Sequence, residues 1–97
     1  MVRALVDTGA LLALASPRDQ FHERAVGVAR RFARQGGQWL GSVLVLGEFH
    51  GHVLHRRGPR EARELLGALL NDPAHRWLAV DADLVGSAAS AWTGAPA

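Results

Sequence analysis

MVRALVDTGALLALA, residues Met1 to Ala15, is the stretch whose reading decides the fold. A short apolar run, Val2 to Val6, is broken by Asp7. Thr8 and Gly9 follow, and then a second apolar run, Ala10 to Ala15. This is the pattern of a buried strand, a turn and a helix. It places one carboxylate where a strand ends and a helix begins. In open α/β sheets, ligands bind at the carboxyl ends of the strands, so an acid followed by a hydroxyl fits a metal corner there. It fits a helix N-cap as well, because Asp and Thr both accept hydrogen bonds from the free amides of a first turn. Taken locally, the cap is the simpler reading.

Outward from this stretch, Ser16-Pro17-Arg18-Asp19 has the form of a helix start, with Ser at the N-cap, Pro at the first helical position and an acid two residues on. Phe21, Ala25, Val28 and Phe32 then recur on one helical face, and Gly36-Gly37 ends the helix. Gln38 to Gly41 predicts a second strand. Ser42 predicts the cap of a helix from Val43 to about Arg57, with Leu46, Phe49 and Val53 as its apolar stripe. Gly58-Pro59 closes that helix and opens another, which stops at Asn71-Asp72-Pro73. Arg76 to Val80 predicts a third strand. Asp81 or Asp83 can cap a last helix with Leu84, Val85, Ala88 and Trp92 on its buried side. The order β-α-α-β-α-α-β-α predicts an α/β fold with a parallel three-stranded sheet flanked by helices. One domain spans residues 1–93, and 94–97 form a tail.

A chain of 97 residues suits one domain with a modest core. It contains no cysteine, which excludes disulfides and thiolate metal sites. All 11 basic residues are arginine, and against nine acids they leave a net charge of +2. The pI of about 11 reflects the very high pKa of arginine more than a large charge excess. Arginine's planar fork suits phosphate, which gives weak support for a nucleic-acid partner. Arg3 and the run Ala10–Ala15 imitate a secretory signal, but Asp7 interrupts the apolar stretch at a position where a charge is costly to insert. No apolar run approaches the roughly 20 residues of a membrane helix. The expectation is a soluble, cytoplasmic protein without a membrane partner.

Glu48 lies in the N-terminal half of the helix after the second strand, so Asp7 and Glu48 each follow the carboxyl end of a strand. Two such carboxylates suit Mg²⁺ or Mn²⁺; the bland alternative is a cap and a solvated helix residue. Glu48, His52 and His55 share a helix face at i, i+4 and i+7 and have the donor types for a transition metal, although exposed histidines at such spacing are common. His50 falls off that face. Arg30, Arg31 and Arg34 form one basic cluster and Arg56, Arg57, Arg60 and Arg63 another; either can meet phosphates or simply be solvated. Trp39, Trp77 and Trp92 fall in core patterns. There is no Ser-His-Asp arrangement, phosphate-binding glycine loop or nucleotide fingerprint.

Val6-Asp7-Thr8-Gly9-Ala10-Leu11-Leu12-Ala13-Leu14, followed by Asp19, His22 and Ala25, then Ser42, Glu48 and Arg57-Gly58 with Ala62 beyond, resembles the PIN-domain family. Within it, the chain is similar to the VapC-like toxins of bacterial toxin–antitoxin pairs. The resemblance implies a PIN-like fold and a metal-dependent endoribonuclease that hydrolyses RNA phosphodiesters by metal-activated water. It implies Mg²⁺ or Mn²⁺ held by Asp7 and Glu48, with Thr8 assisting; the basic cluster, not the resemblance, gives Arg56, Arg57 and Arg60 as the expected RNA contacts. The resemblance also implies a cognate antitoxin protein as partner and a homodimer. The family usually adds one or two aspartates from a later segment, after the fifth-helix region, which this sequence does not reach, and the usual final strands and helix are not found; Asp81 and Asp83 follow the third strand, away from Asp7. The expectation is therefore of a truncated member, with the first strand as a hydrophobic edge. The alternative function is an inactive remnant that only binds an antitoxin or itself.

Overall fold

A computed structural model describes residues 2–91. The chain runs β1 (Arg3–Leu5), α1 (Thr8–Ala15), α2 (His22–Arg34), β2 (Gln38–Ser42), α3 (Val43–Arg57), α4 (Pro59–Asn71), β3 (His75–Leu78) and α5 (Ala82–Ala91). The three strands form a parallel sheet in the order β1-β2-β3, so the α/β, PIN-like arrangement expected from the sequence is present. No helix among the described residues is long and apolar enough to cross a membrane.

The ladder explains where the strands stop. Ser42 is the last residue of β2 and pairs with Leu78. Beyond it the chain turns into α3, so Ala79 and Val80 have no neighbour and β3 ends earlier than the apolar pattern suggests. At β1 the ladder is three residues long, yet the Val6 amide still donates to the Leu40 carbonyl at 2.9 Å.

One helix start differs from expectation. Ser16 caps the C-terminus of α1, its amide donating to the Leu12 carbonyl at 3.0 Å, and a residue that ends one helix is not free to open the next. The segment after it is a turn: the Asp19 amide donates to the Ser16 carbonyl, and Asp19 Oδ1 accepts from the Phe21 amide at 2.8 Å. This is the local side-chain turn that Asp favours. α2 therefore begins at His22, whose Nδ1–H donates to the Ala13 carbonyl at 2.7 Å and ties α2 to α1.

α3 and α4 match the expected bounds. Ser42 Oγ accepts from the Val45 amide at 3.3 Å, and Gly58 takes φ +88° between the two helices, where a side chain would be strained. The core joins Val6, Leu11, Phe49, Val53 and Ala62, with Trp39 and Trp77 packed against it. In register, Val6, Trp39, Gly41 and Trp77 share the sheet face that meets these helices. The opposite face carries Leu5, 82% exposed on edge strand β1, and Leu78, 43% exposed. α5 also departs from expectation. Asp81 Oδ1 caps it through the Leu84 amide at 2.8 Å, but none of its residues is buried, and Leu84 and Val85 are half-exposed. Trp92 and the 94–97 tail lie outside the described residues.

Gly41 sits at the centre of the sheet for a steric reason. A Cβ there would lie 2.5 Å from the Trp77 ring and 3.0 Å from a Val6 methyl carbon. Gly41→Ala is expected to lower stability by about 1–3 kcal/mol, the usual cost of forcing extra volume into a packed core. The shift in the urea midpoint, at unchanged slope, measures it.

Candidate functional site

Asp7 ends the extended segment of β1 and is the N-cap of α1; its Oδ1 accepts from the Ala10 amide at 2.8 Å. Both local readings thus meet in one side chain. The cap uses one carboxylate oxygen, and the other has no hydrogen-bond partner among the described residues. Asp7 is exposed, and Thr8, the first residue of α1, is half-buried beside it.

Glu48 is the sixth residue of α3, one position before the buried Phe49, and is exposed. It makes no ion pair among the described residues. α1 and α3 start at the same edge, because β1 and β2 are adjacent and parallel and each runs directly into its helix. The helices then pack on each other through Leu11, Phe49 and Val53. The fold therefore places Asp7 and Thr8 at the carboxyl end of β1 and Glu48 in the second turn of the helix that follows β2, on two helices whose N-terminal amides carry positive partial charge.

The donors fit a hard cation in type, since both acids offer exposed oxygen ligands and such ions retain several waters. They are few. Among the described residues no three His, Asp or Glu side chains gather into a group that could hold a metal ion. The Glu48, His52 and His55 face of α3 is exposed and does not form a transition-metal centre. His75 is removed from the site: its Nδ1 meets Asp72 Oδ2 at 3.2 Å, and its ring stacks on Trp77 at 5.5 Å.

A groove of about 430 Å³ runs from Asp7 between α1 and α2. Ala10, Ala13 and Ala25 line it, with Phe21 and Val28 at its rim, 53% and 44% exposed. Arg24 lines it too. The sequence did not single out Arg24, because its proximity to Asp7 depends on the turn between α1 and α2, which no local spacing reveals.

The arginines separate in space. Arg57 Nη1 donates to the Ala15 carbonyl at 3.2 Å and to Glu61 Oε1 at 3.4 Å. Arg60 is 93% exposed at its side chain and pairs with Glu64 at 3.5 Å on α4. Arg56 lines a second concavity with Arg57, which Arg60 does not reach.

No family model matches the chain, and no curated protein matches it. A solved structure does. The fold is similar to that of VapC20 from Mycobacterium tuberculosis, a sarcin–ricin loop cleaving toxin, with a TM-score of 0.69 and 29% sequence identity. The likeness covers 89% of this chain and 63% of that one, so the chain spans less than two thirds of the toxin's length.

Proposed function

From a chain of PIN-like fold that resembles the VapC-like toxins, we propose a ribonuclease that cleaves RNA at the Asp7–Glu48 edge with the help of a divalent cation. The supporting observation is that two exposed carboxylates follow adjacent parallel strands, Asp7 at the end of β1 and Glu48 in the second turn of α3, on a fold similar to that of a sarcin–ricin loop cleaving toxin. Asp7 and Glu48 would hold Mg²⁺ or Mn²⁺. When bound, the ion would supply positive charge to the phosphodiester and acidify a coordinated water.

The chain's own residues set up the rest. The α1 cap fixes the Asp7 carboxylate, because one oxygen is held by the Ala10 amide while the other makes no hydrogen bond among the described residues. Thr8 places a hydroxyl beside it, suited to orienting the attacking water. The N-termini of α1 and α3 favour the approach of a phosphate. The cytoplasm is the compartment in which such a substrate is met.

The test is cleavage of a labelled structured RNA by the full chain. Cleavage is expected with Mg²⁺ or Mn²⁺, to vanish in excess chelator, and to return when metal is restored. Cleavage that persists in chelator refutes the metal requirement; none with either ion refutes the nuclease reading.

The Asp7 groove favours a second role that does not require catalysis. Its exposed Phe21 and Val28 rim and alanine floor suit an apolar segment of an antitoxin protein, laid along α1 and α2. Binding of such a segment would cover Asp7.

A further inference from the structure

Arg57 is the fixed point of a concavity of about 490 Å³ on another face of α1, toward its C-terminal end. Its guanidinium is held against the Ala15 carbonyl and Glu61, so it shapes the wall more than it offers free charge. Two other guanidinium groups share that wall. Arg18 comes from the turn after α1 and Arg56 from the last turn of α3, and neither makes an ion pair among the described residues. His52, four residues before Arg56, stands beside them. The floor is apolar, formed by Leu12 and the buried Val53.

Available donors, more than net charge, suit an anion here. Asp19 also lines the concavity and brings one negative charge, its Oδ1 accepting from the Phe21 amide. The C-termini of α1 and α3 each contribute on the order of half a negative charge. Arg18 and Arg56 about balance these charges, yet neither makes an ion pair among the described residues, so their N–H groups are open to a ligand, and Arg57 already caps the end of α1. Paired planar forks suit a phosphate's oxygens, while an apolar floor beside them suits the face of a base. A carboxylate would satisfy the forks but leave that floor open. A nucleotide covers both.

We propose that Arg18 and Arg56, braced by Arg57 over the Leu12–Val53 floor, form a phosphate subsite for single-stranded RNA, separate from the Asp7–Glu48 edge. It rests on the proposed function for its substrate class only. The length of α1, about 12 Å for eight residues, separates the two sites, so one RNA strand reaches both. The subsite replaces Arg60 of the expected trio with Arg18.

The test is binding of a fluorescent single-stranded RNA to the full chain, in chelator, across a range of salt. Loss of one phosphate contact lowers the log–log salt slope by about one. Arg18→Ala and Arg56→Ala are each expected to weaken binding several-fold and to lower the slope by about that amount, and the double variant by about twice as much. Arg56→Lys, which keeps the charge, restores most of the slope, and Arg31→Ala on α2 leaves it unchanged. An unchanged slope in the double variant overturns the proposal, as does poly-glutamate that competes as well as RNA, which would assign the pocket to an acidic protein. Because no metal is present, the result is independent of catalysis. A chain that never cleaves RNA yet loses slope in these variants keeps the subsite and loses only the nuclease reading.

Discussion

Phe49→Ala is expected to cost about 3–5 kcal/mol, the range for removing a large buried aromatic side chain. Phe49 is 2% exposed and belongs to the cluster in which α1, α3, α4 and the extended end of β1 meet. Domains of this size are stable by only about 5–15 kcal/mol in total, so the variant should lose a large part of its stability or fail to fold. Urea unfolding followed by circular dichroism measures the loss. A change below about 1 kcal/mol, the level of an ordinary substitution, would mean that the packing around α3 is looser than the structure shows.

The second large effect separates the two roles of Asp7. Asparagine caps helices about as well as aspartate, whereas alanine at an N-cap costs about 0.5–2 kcal/mol. Asp7→Asn should therefore leave the unfolding midpoint close to that of the parent chain, while Asp7→Ala should lower it. RNA cleavage should respond otherwise, falling in both variants. Even indirect partners of a bound metal typically cost about 10–100-fold when removed, so loss of a direct ligand is expected to cost at least roughly the upper figure. If Asp7→Asn retains full cleavage, Asp7 is a cap alone and the proposed site is wrong.

The sequence disclosed those features whose causes are local. Ser42 followed by an apolar stripe at Leu46, Phe49 and Val53 contains the whole specification of α3, and the structure shows that helix with that cap and those residues buried. Gly58-Pro59 similarly marks its own boundary. Features that depend on a partner were less visible. The Ser16–Asp19 segment has the composition of a helix start, yet α1 takes Ser16 as its end and Asp19 makes a turn. The end of β3 is set by where β2 stops, not by Ala79 or Val80. The apolar positions of α5 promised a buried side, but a stripe only becomes buried when something covers it. The same distinction divides the site. The placement of Asp7 at a strand end and of Glu48 early in a helix was legible because strand ends and helix starts can be counted along the chain. The company of Arg18 with Arg56, and of Arg24 with Asp7, arises from tertiary packing.

The register of the sheet has a consequence for how the protein reaches its native state. Arg3 pairs with Gln38 and Trp39 with His75, so each pairing closes a loop of about 35 residues. The two loops lie end to end along the chain and do not interlock. The first can therefore close, with α1 and α2 in place, while the second is still emerging from the ribosome. Because every strand contact is distant in sequence, helix formation should run ahead of sheet formation, and the overall rate should be set by closure of these loops. During that delay β2 exposes an unpaired edge, so nascent chains are at greatest risk of misassociation after β2 is made and before His75–Leu78 arrives.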